Sequence, residues 1–429
     1  MALNIPDSDL PRLVIVGAGF AGLELANRLP IKEFQVVILD RHNYHQFQPL
    51  FYQVAMAGLE PSSIAFPIRK MFQRQKNVHI RPVDVLELKP VEKRLVTEEG
   101  EIYYDHLIVA TGARTNYYGN DKMREKALPL KSISEALHLR NEILSDLEKA
   151  VMIEDYNERQ KYIDIVVVGG GPTGVEVAGA MAEMRRYVIP KDYVELDEDE
   201  IDIYLVQAGE RLLYGMSDHA AKKAKEFLED LGVKVLLNSQ VVDYDGETLS
   251  MHNGEKLLSR KVIWCAGVKA EAPAGLPDDC MHRSGRVEVD RYCQVKGLRD
   301  VYAIGDVALM REDEFPDGHP QVAQAAIQHA RYLAKSFKKK LKDEEVEPFA
   351  YNDKGSMATI GRNKAVVDLP FYKFSGWLAW VAWLIVHLFA LIGVKNKVFV
   401  FINWLWNYLT YDQSLRLIIR PEKRREKNG

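Results

Sequence analysis

Leu13–Val16 is a short apolar run that ends in Gly17-Ala18-Gly19-Phe20-Ala21-Gly22, and the apolar positions Leu23, Leu25, Ala26 and Leu29 follow it. An apolar run, a Gly-x-Gly-x-x-Gly turn and a helical period, in that order, read as strand, tight turn and helix: the opening of a dinucleotide-binding βαβ unit. Gly17 permits the turn, Gly19 leaves a pyrophosphate room against the backbone, and Gly22 lets the helix lie close on the strand. The helix that opens at Phe20 aims free N–H groups and its positive dipole end at the phosphates. A second apolar run, Phe34 to Leu39, ends in Asp40. An acid about 20 residues on is where a carboxylate accepts from an adenosine ribose.

The pattern occurs a second time. A strand expected over Ile163–Val168 runs into Gly169-Gly170-Gly171-Pro172-Thr173-Gly174 and a helix from Val175 to about Val188. The next strand, Ile203 to Val206, ends in Gln207 at the ribose-reading position. Two complete fingerprints in one chain suit FAD at one site and a nicotinamide dinucleotide at the other, the pair that hydride transfer to a bound flavin needs. Two further apolar strands end in small residues that let backbone approach a cofactor: Leu107 to Ala110-Thr111-Gly112, and Val262 to Gly267. Val301 to Ile304 ends in Gly305-Asp306, where Asp306 reads as a flavin ribityl or phosphate-proximal contact, with a helix cap as the alternative. Gln324 and Gln328, four residues apart, share one helix face. Glu176 stands near the start of the second fingerprint helix, where an acid ordinarily favours the helix dipole but would repel a pyrophosphate.

Composition narrows the class. With 47% apolar and 28% charged residues the 429-residue chain is an ordinary globular protein of two or three domains, and a net charge of −4 gives no reason to expect nucleic acid. Cys265, Cys280 and Cys293 form no Cys-x-x-Cys pair, which argues against a local redox dithiol or a cysteine-ligated cluster. The acidic run Lys191–Asp202 reads as a solvated loop, and no metal is expected. The N-terminal residues show no signal-peptide pattern.

Taken together, these residues resemble the type II NADH dehydrogenases, single-subunit NADH:quinone oxidoreductases that do not pump protons. The resemblance rests on both glycine turns, Ala110-Thr111-Gly112, Val175-Glu176-Val177-Ala178-Gly179, Ala303-Ile304-Gly305-Asp306, Ala323-Gln324-Ala325-Ala326-Ile327-Gln328 and Lys354 to Arg362. It implies FAD at Gly17, Gly19, Phe20, Gly22, Asp40, Ala110, Thr111, Gly112, Asp306 and Gln324. It implies NADH at Gly169, Gly171, Pro172, Thr173, Gly174, Glu176, Gln207 and Gly267, and a membrane quinone (menaquinone or ubiquinone) beside Gln324 and Gln328. Glu176 would take a positioning or proton-handling role, and a homodimer is implied. Gln207 departs from the family's usual glutamate. An amide neither accepts from both ribose hydroxyls nor repels a 2′-phosphate as a carboxylate does, so NADPH stays open as an alternative donor.

Phe374–Val394 is apolar apart from Ser375 and His387 and carries Trp377, Trp380 and Trp383; Val398–Leu409 follows, with Asn403, Asn407, Thr410 and Ser414 at helical spacing. Arg416, Arg420, Lys423, Arg424, Arg425 and Lys427 complete a basic tail. A wide apolar face, tryptophans for the headgroup boundary and basic residues for anionic lipid describe helices lying on a membrane surface. A single spanning helix is the alternative, given the length of the first stretch. The fold class expected is α/β: two doubly wound Rossmann-like domains, the second inserted in the first, plus a C-terminal helical membrane-contact region. The expected divisions are 1–130 and 266–370 for FAD, 131–265 for NAD(P)H and 371–429 for the membrane, with the protein peripheral (monotopic) on the cytoplasmic face of the cell membrane. The competing readings are a sulfide:quinone oxidoreductase, which needs a cysteine pair flanking the flavin, and a non-enzymatic flavin-stabilised membrane protein.

Overall fold

Buried apolar strands set the frame. In the computed structural model, which describes residues 2–412 and 415–419, the chain divides into two units. The first comprises Met1–Gln46, Ala65–Arg114 and Val268–Lys354. Its five-stranded parallel sheet has the order Val301–Ala303, His106–Val109, Arg12–Val16, Gln35–Asp40, Val78–Pro82. The central strands are buried at nearly every position because both faces of the sheet are covered. Helices Phe20–Arg28 and Ala323–Lys340 pack on each other. A core of Val14, Val16, Val37 and Leu39 includes Leu88, Leu95 and Ile102 from the small antiparallel sheet Val85–Lys89, Arg94–Thr97, Gly100–Tyr103. Strand order reverses between Arg12–Val16 and His106–Val109, and ligands of open α/β sheets bind at the carboxyl ends beside such a reversal.

The second unit comprises Phe47–Ile64, Thr115–Gly267 and the chain from Gly355 onward. Its parallel sheet, also five-stranded, runs Leu128–Pro129, Lys261–Trp264, Ile165–Val168, Ile203–Val206, Lys234–Leu236. Val166, Val168 and Val206 form one core with Tyr244, Leu249 and Met251 of a three-stranded antiparallel sheet. Helix Pro172–Tyr187 buries most of its first three turns. Ile163, expected to open a strand, instead ends helix Tyr156–Ile163, which Asp155 caps at Glu158 N. The strand begins at Ile165, whose N–H is the first to reach across the sheet, to Asp202 O.

The C-terminal part starts with the antiparallel strands Ser356–Thr359, Ala365–Asp368 and Lys373–Ser375. Phe374 therefore belongs to a strand. Gly376, at φ +87°, turns the chain into helix Trp377–Ala390, and helix Val394–Thr410 follows. The first of these has 14 residues, hence roughly 21 Å of helix against a hydrocarbon core of about 30 Å. Among the described residues no helix is long and apolar enough to cross a membrane. Trp383, expected at a headgroup boundary with Trp377 and Trp380, is buried, because it packs against Tyr52, His387 and Trp404 rather than facing the outside. Ser414, Arg420, Lys423, Arg424, Arg425 and Lys427 lie outside the described residues. Arg416 pairs with Asp192 and Asp412.

Candidate functional site: two glycine cradles and a buried acid pair

The two glycine turns are built alike. Gly17 sits at φ +101° and Gly169 at φ +110°, a conformation L side chains rarely adopt. A Cβ on Gly17 would lie 2.3 Å from Ala110 O, and one on Gly169 2.6 Å from Cys265 O. A Cβ on Gly22 or on Gly174 would lie 1.8 Å from the carbonyl of the turn's first glycine. Gly19 and Gly171 are the opposite: no atom lies within 4 Å of the place a Cβ would take, so each backbone is bare toward open space. Both act as N-caps without a side-chain capping bond, and neither helix has an acid in its first turn. The helix N–H groups and dipole are therefore left to an anion from outside the chain. Thr173 is exposed beside Pro172, which opens the second helix.

The ribose readers also match in position. Asp40 Oδ2 accepts from Ala18 N at 2.6 Å and its Oδ1 from His42 N at 2.7 Å. Gln207 Oε1 accepts from Gly170 N at 2.9 Å. In each fingerprint the residue between the first two glycines thus orients the side chain at the end of the next strand. With Oε1 pinned, Gln207 has its NH2 donors left to offer a ligand, whereas Asp40 has acceptors only. Arg211, a possible phosphate partner by sequence position, is engaged by Asp218 and by the carbonyls of Tyr214 and Met216.

In the first unit Ala110-Thr111-Gly112 and Gly305-Asp306 stand at the carboxyl ends of the strands next to the Gly17 turn. Thr111 Oγ1 is buried without a partner among the described residues, as is His45 Nε2, whose ring bonds Ala18 O through Nδ1 and packs edge-on to Phe20. An orphaned hydroxyl and an orphaned ring acceptor (Nδ1 carries the proton, because it donates to Ala18 O) beside an open glycine cradle fit a dinucleotide bound there. In the second unit Gly267, at φ +129°, follows the Lys261–Trp264 strand; Tyr118 OH donates to Ala266 O beside it and leaves no room for a Cβ.

Gln324 and Gln328 share the expected face of helix Ala323–Lys340, and the structure gives that face a partner. Lys354 N donates to Gln324 Oε1, and the Gln324 amide reaches Asp353 Oδ1. Asn352 N donates to Gln328 Oε1 while Gln328 Nε2 donates to Asn352 O. The amides act as a short ladder that holds the extended segment 352–354 against the helix.

Glu176 lies five residues into its helix, not in the first turn, because the helix begins at Pro172. The first-turn dipole argument therefore does not apply to it. It is buried, and burial pushes its carboxyl up to about 8, opposed in part by the Thr359 backbone. Two turns further, Glu183 is also raised by burial and accepts from Arg362 N. Both glutamates line a cavity of about 430 Å³ together with Tyr52, Trp380, Trp383 and Trp404. Tyr52 OH accepts from Gln53 Nε2, and Gln53 Oε1 accepts from Trp404 Nε1. His387 stacks on Trp383 at 4.0 Å, and burial lowers it to about 4, so it is neutral. Outside the cavity the two C-terminal helices expose Leu378, Val386, Phe389, Ile402, Trp406 and Leu409, an apolar patch of the kind that marks an interaction surface.

Sequence reasoning missed His45, Glu183 and Gln53; Tyr52 it offered, with Tyr44, Phe47 and Phe51, as either a packing residue or a wall beside a flat ring system, and the structure sets it in the wall of the cavity. The only signal was Glu183's seven-residue spacing from Glu176, which places both on one helical face.

Residues 11–330 match the pyridine nucleotide-disulphide oxidoreductase family and residues 354–411 the NDH2 C-terminal domain. The type II NADH:quinone oxidoreductase Ndh of Mycobacterium tuberculosis is 36% identical over 93% of this chain and 88% of its own. The chain belongs to the type II NADH:quinone oxidoreductase family. The Plasmodium falciparum NDH2 solved in complex with NADH has the same fold, with a TM-score of 0.86 at 22% identity over 96% of this chain and 100% of that one. A sulfide:quinone oxidoreductase from Aquifex aeolicus is more distant, with a TM-score of 0.71 at 15% identity over 96% of each chain. Membership accounts for the two cradles and the C-terminal helices in one chain. It does not bring a redox dithiol: Cys265, Cys280 and Cys293 are all free, and the last two are buried.

Proposed function

We propose that this chain oxidises NADH and reduces a membrane quinone, menaquinone or ubiquinone, by way of FAD and without pumping protons. The observation that carries this reading is the paired cradle: two turns of one construction, one backed by an acid and the other by an amide, in a chain that ends in apolar helices. When bound, FAD supplies a ring that takes a hydride from a nicotinamide and gives two electrons to a quinone.

The protein's own part is to bind, orient and hold protons. The Gly17 turn, Phe20, Asp40, Ala110-Thr111-Gly112 and Asp306 hold FAD; the Gly169 turn, Pro172, Thr173, Gln207 and Gly267 hold the nicotinamide dinucleotide. Glu176 keeps a proton below pH about 8 within an apolar cavity, so it presents a neutral carboxyl and not a charge that would repel a dinucleotide. Gln324 and Gln328 build the quinone site by fixing the 352–354 segment as one wall. The exposed faces of Trp377–Ala390 and Val394–Thr410 lie on a lipid surface. That makes the protein peripheral, on the cytoplasmic face of the cell membrane, released by detergent and only loosened by salt. The assembly is a homodimer, testable by sedimentation in mild detergent.

A stopped-flow trace tests the core of this reading. NADH should bleach the flavin absorbance and quinone should restore it, each as a separate phase. Flavin that NADH does not bleach, or that quinone does not restore, would refute it. Bleaching by sulfide would favour the sulfide:quinone alternative, against which the free, unpaired cysteines argue.

A further inference from the structure

Behind the Gly305-Asp306 turn lies a row of buried polar groups that neither the glycine cradles nor the cavity uses. Gly305 N donates to His329 Nδ1 at 3.2 Å. His329 Nε2 meets His319 Nδ1 at 3.0 Å, and His319 Nε2 faces Glu312 Oε1 at 3.6 Å. Both histidines are 1% exposed.

The proton positions along this row follow from its first member. A backbone N–H can only donate, so His329 Nδ1 must accept, which places the ring proton on Nε2. His329 Nε2–H then donates to His319 Nδ1, and the His319 proton sits on Nε2, toward the Glu312 carboxylate. Both hydrogen bonds point the same way, away from the turn, and the acid lies beyond them at 3.6 Å, an electrostatic partner for the His319 proton rather than a hydrogen-bond acceptor. Burial lowers both rings, His329 to about 3, with His319 and the Arg286 guanidinium adding to the effect on it. His329 therefore stays neutral and its Nδ1 remains an acceptor. The rings are also held in place: Phe349 packs on His329 at 4.9 Å and on His319 at 5.5 Å, and Arg286 donates to the His319 carbonyl at 3.0 Å.

The anchored turn is one that needs anchoring. Gly305 is at φ +76°, and a Cβ there would meet Ala21 and Ala326 at 3.1 and 3.3 Å. The next carbonyl, of Asp306, accepts from Gln321 Nε2 at 2.9 Å. Side chains thus grip the dipeptide's backbone on both sides.

We propose that His329 is a positioning residue for the flavin site: its Nδ1 fixes Gly305-Asp306, and His319 with Glu312 behind it fixes the ring's tautomer. The inference rests on the reading that Asp306 contacts FAD.

The test uses two substitutions that keep different halves of the imidazole. In His329→Asn the amide oxygen takes the place of Nδ1, so the bond to Gly305 is kept and the link to His319 is cut. In His329→Gln the amide reaches the place of Nε2, so the link to His319 is kept and the acceptor for Gly305 is lost. The readouts are the rate of FAD release from the holoenzyme diluted into flavin-free buffer and the midpoint potential of the bound flavin. His329→Asn should release FAD within about twofold of the parent rate, and His329→Gln at least about tenfold faster with a shifted potential. Asp306→Ala serves as the reference and should also speed release. If it does, and the two His329 variants behave alike, the positioning role is refuted while the flavin assignment stands. If Asp306→Ala leaves release unchanged, the assignment itself fails and the inference falls with it. Should His329→Gln not fold, His319→Asn, which retains an acceptor for His329, must leave release unchanged while His319→Leu speeds it. Equal rates in that pair would overturn the proposal.

Discussion

The first and second fingerprints share a backbone and differ in what reads the ligand. Both have a first glycine at positive φ, an uncrowded second and a third set against the first. Both use one backbone N–H, from Ala18 or Gly170, to orient the side chain at the end of the neighbouring strand. The difference lies in that side chain, acceptor-only Asp40 against an amide whose free atoms are donors, and in the glutamate two residues after the third glycine. Glu176 is buried and neutral, whereas Glu24 at the matching place in the first helix pairs with Arg28 and Arg331, which outweigh its partial burial and hold its carboxyl below the usual range. The common part is what any dinucleotide requires, namely a bare backbone and a helix dipole facing a pyrophosphate. The variable part decides which dinucleotide binds and what happens to its proton.

The largest expected effect falls on the shared part. Gly17→Ala and Gly169→Ala each put a Cβ within 2.6 Å of a neighbouring carbonyl at a positive φ. Each should cost about 4 kcal/mol or more, seen as a large fall in Tm or as insoluble protein. A Tm within a few degrees of the parent's would show that the turn is not what fixes the fold.

Next comes the reader. Gln207→Glu makes the second fingerprint resemble the first. A carboxylate facing a 2′-phosphate should cut kcat/KM for NADPH roughly tenfold to a hundredfold, about 1.4 to 2.8 kcal/mol, and should keep or improve it for NADH. An unchanged ratio of the two donors would mean that Gln207 does not face the ribose.

Glu176 gives a smaller, pH-dependent effect. Its folded pKa, about 8, is above the ordinary carboxyl value, so the folded state holds a proton that the unfolded state loses at lower pH. That contribution to stability is intact in acid and drains away as pH rises toward and through 8. Glu176→Gln, which cannot ionise, should therefore be more stable than the parent above pH 8 and nearly equal to it in acid. The same variant should lose the alkaline limb near pH 8 in quinone reduction. If the limb persists in Glu176→Gln, another group carries it.

Gln324→Leu should have the smallest effect. It removes the acceptor for Lys354 N and should leave NADH bleaching of the flavin nearly unchanged. Re-oxidation by quinone should slow by roughly threefold to tenfold, about 0.7 to 1.4 kcal/mol in the barrier. Normal steady-state quinone reduction in the flavin-replete variant would remove Gln324 from the quinone site.

What the sequence made legible is local. Glycine turns, the acid or amide after the second strand and the strands ending in Thr111, Gly267 and Gly305 are short patterns whose physical reasons act within a few residues. What it hid depends on distant contacts. That Trp383 is buried while Trp377 is exposed is set by Tyr52, more than 300 residues away, and by Trp404 of the following helix, which no helical period reveals. The amides of Gln324 and Gln328 were visible on one face, but their partners, 24 to 30 residues away, were not. His329 and His319 read as unremarkable polar residues until the fold placed them behind Gly305. The expected start of the Ile163 strand and the first-turn placement of Glu176 both failed by a few residues at a helix end, where capping decides the boundary.

The division of labour between the cradles is tested most directly by a methyl group at each uncrowded glycine. In Gly19→Ala and Gly171→Ala the added Cβ meets no protein atom within 4 Å, so neither change should disturb the fold. The measurement is FAD content together with the Kd for NADH in both purified variants. Gly19→Ala should lose FAD while its second cradle still binds NADH, and Gly171→Ala should keep FAD at parent level while its NADH affinity falls. FAD lost from Gly171→Ala and retained in Gly19→Ala would contradict the assignment of the two sites.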